Sequence, residues 1–123
     1  RKLVGFEKLI GVSTHNRQEA LQAQEYGADY ITFGPIFDTP SKAGLLKPTG
    51  VEEIQKLKNG INIPIVALGG INERNVESVL DGGADGIAVI SSIMQAEDPE
   101  DAARCLCNKI VKVLQVFYLS RRQ

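Results

Sequence analysis

Four short apolar runs recur along the chain, and each is followed by a stretch with helical character. The runs are Leu9-Ile10-Gly11-Val12-Ser13, Tyr30-Ile31-Thr32-Phe33, Ile63-Pro64-Ile65-Val66-Ala67-Leu68 and Ile87-Ala88-Val89-Ile90. None alternates cleanly between apolar and polar positions. That pattern predicts strands covered on both faces, as in a parallel sheet. Pro64 is tolerated because it stands near the start of its run.

The stretches between the runs carry helix signals. Arg1 to Lys8 reads as the end of a helix or a linker. Asn16 is a good N-cap for a helix over Arg17 to Tyr26, with Ala20, Leu21, Ala23 and Gln24 as its inward stripe and Gly27 closing it. Thr49 or Gly50 caps a helix over Val51 to Lys58 that turns Ile54 and Leu57 inward, and Asn59-Gly60 ends it. Asn72 caps a third helix containing Val76, Val79 and Leu80, and Asp81-Gly82-Gly83 stops it. Ser91 to Ala96 reads as a turn or a helical stub. Asp98 caps and Pro99 starts the last helix, which runs to about Leu119, with Glu100 and Asp101 at its positive end. The order is strand then helix, four times over. Consecutive strands joined by helices predict a parallel sheet with right-handed crossovers. Residues 1–123 form one α/β domain, about four strand-helix units of a TIM-barrel (β/α)8 type.

Tyr26-Gly27-Ala28-Asp29-Tyr30-Ile31 resembles Gly82-Gly83-Ala84-Asp85-Gly86-Ile87. Both read as helix stop, Ala-Asp, next strand. Ordinary turn chemistry explains this, and so does shared ancestry of two barrel quarters.

Composition narrows the class. At 123 residues, 43% hydrophobic and 24% charged, the chain fits one compact domain. Its net charge of −1 gives no electrostatic reason for a nucleic-acid or membrane partner. No apolar run approaches the roughly 20 residues of a membrane span, and no signal peptide is visible. Cys105 and Cys107 stand two apart on a predicted helix and point to different faces, so no disulfide joins them. The single histidine, His15, is far away in sequence, so no zinc site is expected. Reduced cysteines place the chain in the cytoplasm. The first residue is Arg1 rather than Met, which suggests a fragment or a processed product.

The polar chemistry collects where the runs end. Ser13 and His15 follow the first. Gly34 to Lys42, a loop carrying Thr39, Ser41 and a lysine, follows the second. Gly69-Gly70 follows the third and Ser91-Ser92 the fourth. C-terminal strand ends are where α/β folds hold ligands, and in barrels the last two are the usual phosphate site. Gly69-Gly70 removes two side chains, so a phosphate can approach backbone N–H groups directly. Ile90-Ser91-Ser92 adds further N–H groups and hydroxyls. Lys42 can neutralise a phosphate or a departing pyrophosphate as a point charge. His15 reads as a capping or packing residue. Asp29 and Asp85 lie at the opposite end of the strands, where residues serve stability, and are left out of the site.

Four motifs together resemble the thiamine-phosphate synthase family. They are Gly11-Val12-Ser13-Thr14-His15; Gly34-Pro35-Ile36-Phe37 with Thr39-Pro40-Ser41-Lys42; Pro64-Ile65-Val66-Ala67-Leu68-Gly69-Gly70-Ile71; and Gly83-Ala84-Asp85-Gly86-Ile87-Ala88-Val89-Ile90-Ser91. The resemblance implies the second half of a (β/α)8 barrel. The implied enzyme joins a hydroxymethylpyrimidine diphosphate to a thiazole phosphate and releases pyrophosphate, with Mg2+. It implies that Ser13 and Lys42 contact the diphosphate. Thr39 and Ser41 would help hold the thiazole phosphate, and Gly70, Ile90 and Ser91 would complete that cradle, largely through backbone N–H, beside the Gly69 read from the Gly-Gly pair. The Mg2+-binding aspartates and the arginine-rich diphosphate motif belong to the first half, so no metal ligand and no activity are expected of this chain alone. Its expected partners are phosphorylated small molecules, and a second copy or a missing N-terminal half that closes the barrel.

Two positions depart from the family pattern. Ser41 stands where Thr is usual and keeps the hydroxyl. Asp38 stands where Pro is frequent and brings a negative charge toward an anion site. The related thiazole tautomerases have His where Pro35 stands, so Pro35 favours the synthase. A non-catalytic phosphate-binding or regulatory module is the rival from another class.

Overall fold

The computed structural model describes residues 1–39 and 46–122, with side chains described as far as residue 113 in the last helix. The strands are β1 (Gly11–Thr14), β2 (Tyr30–Phe33), β3 (Ile65–Leu68) and β4 (Gly86–Ala88). The helices are α1 (Arg17–Glu25), α2 (Glu52–Lys58), α3 (Val76–Asp81), α4 (Ser91–Met94) and α5 (Pro99–Arg122). All neighbouring strands pair in parallel, in the order β1-β2-β3-β4. This is the half-barrel unit that the alternation of strand and helix predicts.

Register sorts the strand residues into two faces. Thr14, Phe33, Ala67 and Ile87 lie side by side, as do Val12, Ile31 and Ile65. This face meets the helices. Ile31, Phe33, Ile65 and Ala67 are buried there with Ala20, Ile54, Leu57, Val76 and Val79. Each large apolar side chain in that cluster contributes about 1.5–3 kcal/mol by leaving water. Among the described residues Thr14 is the one buried polar side chain, and its hydroxyl donates to the Thr32 carbonyl at 2.8 Å. On the other face Ser13, Thr32, Val66 and Gly86 share a level, and Tyr30, Leu68 and Ala88 lie above or below it. No described helix covers this second face, and Tyr30, Thr32, Val66, Leu68 and Ala88 are half-buried. The Tyr30 ring lies over Gly11, where any side chain would strike it.

Several boundaries differ from expectation for identifiable reasons. The first strand starts at Gly11, because the Asp29 carboxylate takes the Ile10 N–H at 2.7 Å and Leu9 turns out to solvent. The fourth ends at Ala88, which pairs with the last residue of β3, so Val89-Ile90 has no ladder to join. The cap of α2 is Val51, not Thr49 or Gly50. Their N–H groups instead donate to Pro35 and Ile36 carbonyls. Asn72 does not cap α3 directly. It forms a turn in which its side chain accepts the Arg74 N–H at 2.8 Å, while Asn75 becomes the cap residue and accepts the Asn72 N–H at 2.8 Å. Leu21 is partly exposed, and Ala20 and Ala23 carry the burial of α1. Two caps stand where the sequence places them. Asn16 accepts from the Glu19 N–H at 2.8 Å, and Asp98 from the Asp101 N–H at 3.1 Å.

Among the described residues no helix is long and apolar enough to cross a membrane.

Candidate functional site

The loop after β2 is fastened to the end of β3. Gly34 passes so close to the Leu68 carbonyl oxygen that a Cβ there would collide with it. The Gly34–Pro35 peptide bond is cis. Beyond it the Ile36 N–H donates to the Leu68 carbonyl at 2.9 Å and the Phe37 N–H to the Gly69 carbonyl at 3.0 Å. The β2–β3 pairing thus extends past both strand ends. The returning chain closes the loop's base, with Thr49 N–H on the Pro35 carbonyl and Gly50 N–H on the Ile36 carbonyl, both at 2.9 Å.

Gly69 and Gly70 answer to this crowding. Their φ angles are +102° and +65°, in the left-handed region that glycine adopts without steric cost. A Cβ on Gly69 would lie 2.5 Å from Pro35 Cα, and one on Gly70 would lie 2.5 Å from the Asp38 carbonyl oxygen. The Gly70 carbonyl accepts from the Asn75 side-chain amide at 2.9 Å, which fixes the orientation of that peptide.

Beside this turn β4 ends. The chain passes through Ile90, whose side chain is 76% exposed, into the short helix α4 at Ser91. Between the two strand ends lies a cavity of about 130 Å3. Thr39, Gly69, Gly70, Ile90 and Ser91 line it, together with an apolar wall from Pro35, Leu68, Ile71, Ala88 and Val89. Five of the eight site residues expected from sequence therefore meet at one place. Ser13 does not join them. It lies on the uncovered face of β1, where its Oγ accepts from the Thr32 hydroxyl at 3.4 Å. Ser41 and Lys42 lie outside the described residues.

The Ser-Ser pair divides. Ser91 faces the cavity, whereas Ser92 faces a second hollow of about 370 Å3 lined by Asn72, Glu73, Arg74, Ala102 and Leu106. The Ser92 hydroxyl is buried there with no partner among the described residues. Asp38 is exposed and does not line the cavity. His15 works locally as expected. The Glu19 carboxylate accepts its N–H at 2.9 Å and lies 3.1 Å from Nδ1.

Asp29 and Asp85 stand at the other end of the sheet. Asp29 accepts from Arg1 at 2.5 Å and from the Ile10 N–H, and these bonds, Arg1 first, hold its carboxyl below the usual carboxylate range. Pro35, Leu68, Ile71 and Val89 flank the expected site residues in sequence, whereas Asn75 and Ala88 were not legible as part of the site. Ala88 reads as ordinary strand, and nothing in the local sequence signals that Asn75 reaches back to Gly70.

The arrangement offers a small hollow with an apolar wall, two hydroxyl residues and a glycine turn in its lining. Among the described residues no three His, Cys, Asp or Glu side chains come together as a metal centre.

A family model described as thiamine monophosphate synthase matches residues 1–93. A thiamine-phosphate synthase of Shouchella clausii is 48% identical over 106 residues, covering 86% of this chain and 51% of the relative. One of Chloroflexus aurantiacus is 48% identical over 115 residues, covering 94% of this chain and 52% of the relative. Among solved structures, a thiamine phosphate pyrophosphorylase from Pyrococcus furiosus superposes with a TM-score of 0.82 at 40% identity. That match covers 92% of this chain and 54% of the other. The chain spans about half the length of the curated relatives it matches.

Proposed function

The chain belongs to the thiamine monophosphate synthase family, and on that premise we propose that it forms the phosphate-holding half of a thiamine-phosphate synthase barrel. The whole enzyme of this reading couples hydroxymethylpyrimidine diphosphate to thiazole phosphate and releases pyrophosphate. What supports it is the meeting of Thr39, Gly69, Gly70, Ile90 and Ser91 on one cavity at the C-terminal end of the sheet. That is where barrels of this type hold phosphate.

In this reading the glycine turn and the Ile90-Ser91 backbone present N–H groups to the thiazole phosphate, and Thr39, Ser41 and Ser91 add hydroxyls. The wall of Leu68, Ala88 and Val89 suits an apolar ring and keeps water away from it. Ser13 and Lys42 act on the diphosphate of the other substrate, Lys42 as a compact positive charge. As the C–O bond to the diphosphate breaks, positive charge grows on the pyrimidine methylene. The thiazole nitrogen supplies the electron pair for the new C–N bond, and pyrophosphate departs with the C–O electrons. This chain's contribution is to hold and aim the thiazole and to stabilise the departing anion. In this reading the Mg2+ ligands of the whole enzyme belong to the other half of the barrel.

Titration of the chain with thiazole phosphate by calorimetry tests the reading. Saturable binding that Gly70→Val abolishes is expected, and absence of binding overturns it. The same chain, given both substrates and Mg2+, is expected to show no turnover, and robust product formation would refute the division into halves. Binding without turnover even after the other half is restored would favour a non-catalytic phosphate-binding module.

A further inference from the structure

On the diphosphate role proposed above for Ser13, we infer that Thr32 is its positioning residue. The Thr32 hydroxyl donates to Ser13 Oγ and so leaves the Ser13 proton for an oxygen of the anion.

The sheet builds this contact. Ser13 and Thr32 stand opposite each other in the parallel pairing of β1 with β2. Their side chains leave the same face, and the Thr32 hydroxyl donates to Ser13 Oγ at 3.4 Å. Among the described residues neither hydroxyl has another partner.

Thr32 is the better fixed of the two. Its strand is paired on both sides, with Ser13 across one ladder and Val66 across the other. The buried Thr14 hydroxyl donates to its carbonyl at 2.8 Å. Its β-branched side chain is stiff about the first side-chain torsion. Ser13 is unbranched and lies next to the last residue of β1, so it has more freedom to lose.

Counting protons gives the bond its consequence. A serine hydroxyl has one proton and two acceptor sites. With Thr32 donating into one acceptor site, the Ser13 proton is not spent on its neighbour. Donation into Oγ also polarises the Ser13 O–H bond, so a second bond to a phosphate oxygen gains from the first. The 3.4 Å separation is long for two hydroxyls. Hydrogen bonds of this kind tighten once the ligand is in place.

Placement agrees with two anions held apart. Ser13, Thr32, Val66 and Gly86 share one level of the face. Val66 and Gly86 bring no polar side chain to it, so its polarity is concentrated on β1 and β2. The cavity with Gly70 and Ser91 lies instead at the ends of β3 and β4. Two phosphorylated substrates would need two such places. Gly34, two residues beyond Thr32, has no side chain to stand over the pair. His15, two residues beyond Ser13, is held by Glu19 at 3.1 Å.

The probe is inorganic pyrophosphate, titrated into the 123-residue chain and followed by phosphorus NMR. Thr32→Val removes the donor and nearly keeps the shape. It is expected to weaken pyrophosphate binding about two- to tenfold, the worth of one neutral hydrogen bond, and to leave thiazole-phosphate affinity unchanged. Thr32→Ser restores a hydroxyl and is expected to recover most of the loss. In a Ser13→Ala background Thr32→Val is expected to cost nothing further, because the group it acts through is gone. Wild-type affinity in Thr32→Val, or an equal loss with and without the Ser13 hydroxyl, overturns the positioning role. A chain that binds no pyrophosphate, or binds it as well after Ser13→Ala, overturns the diphosphate role of Ser13 itself, and the role of Thr32 falls with it.

Discussion

The Lys58 ammonium lies 2.6 Å from the Asp85 carboxylate, and the same carboxylate oxygen accepts the Ile65 N–H at 2.9 Å. Asp29 repeats the arrangement two units earlier, with Ile10 as backbone donor and Arg1 as cation. Each aspartate staples the start of its own strand to the start of the strand before it. The sequence repeat around Ala28-Asp29 and Ala84-Asp85 is therefore a repeated hydrogen bond, whatever its ancestry.

The bond to backbone matters more than the ion pair. Lys58 and Asp85 side chains are 35% and 44% exposed, so their attraction is screened and worth under about 1 kcal/mol. Losing the acceptor for the Ile65 N–H costs about 1–2 kcal/mol. Urea unfolding is expected to rank Asp85→Ala as clearly more destabilising than Lys58→Ala. Equal losses would show that the charge pair carries the effect.

Asp29 should leave a mark on the acid limb of stability. The hydrogen bond from Arg1, then that from the Ile10 N–H, depresses its folded-state pKa, with partial burial opposing. An acid depressed on folding stabilises the protein above its unfolded value of about 3.9. That stabilisation fades as pH falls through the lowered folded value. Asp29→Asn keeps an oxygen for Ile10 but cannot titrate. Its unfolding free energy is expected to vary less below about pH 4 than that of the wild type. Parallel pH curves for the two proteins would refute this.

The covered face was readable because burial writes itself as apolar runs. Ile31, Phe33, Ile65 and Ala67 sit where such runs place them, and Ile54, Leu57, Val76 and Val79 face them. The floor of the site was readable because a left-handed turn under Pro35 and Asp38 admits only glycine, and Gly69-Gly70 advertises that need. Boundaries were harder. Leu9 looks like strand, yet a carboxylate twenty residues away takes the neighbouring N–H, and tertiary bonding of that kind has no local signature. Val89-Ile90 is as apolar as any strand, but β3 has already ended, so no partner remains. The reach of Asn75 back to Gly70 depends on three-dimensional closeness that spacing alone does not state.

The two cysteines are expected to differ as nucleophiles. Cys105 is half-buried on α5, and burial first, then the nearby Asp101 and Glu73 carboxylates, pushes its thiol up. Cys107 is exposed. Reactivity follows thiolate fraction and access. Iodoacetamide at pH 8 is expected to label Cys107 first, read by peptide mass spectrometry over time. Faster labelling of Cys105 would contradict the placement of α5 against α3.

Asn75 is the test of whether the glycine turn must be held as well as present. Its amide nitrogen donates to the Gly70 carbonyl at 2.9 Å, and its amide oxygen accepts the Asn72 N–H at 2.8 Å. It does not line the cavity, so it acts through Gly70 as a positioning residue. Asn75→Ala removes both bonds, and loss of one neutral hydrogen bond costs about 0.5–1.5 kcal/mol, a two- to tenfold effect if it falls on ligand binding. Asn75→Asp keeps the acceptor for Asn72 but sets a carboxylate oxygen against the Gly70 carbonyl, beside the proposed anion site. Thiazole-phosphate affinity is therefore expected to fall in the order wild type, Asn75→Ala, Asn75→Asp. The deficit of the aspartate variant should shrink as pH drops toward the carboxylate range, because protonation returns a donor. A purely structural asparagine would instead lower unfolding stability in both variants and leave the affinity of the folded protein, and its pH profile, unchanged.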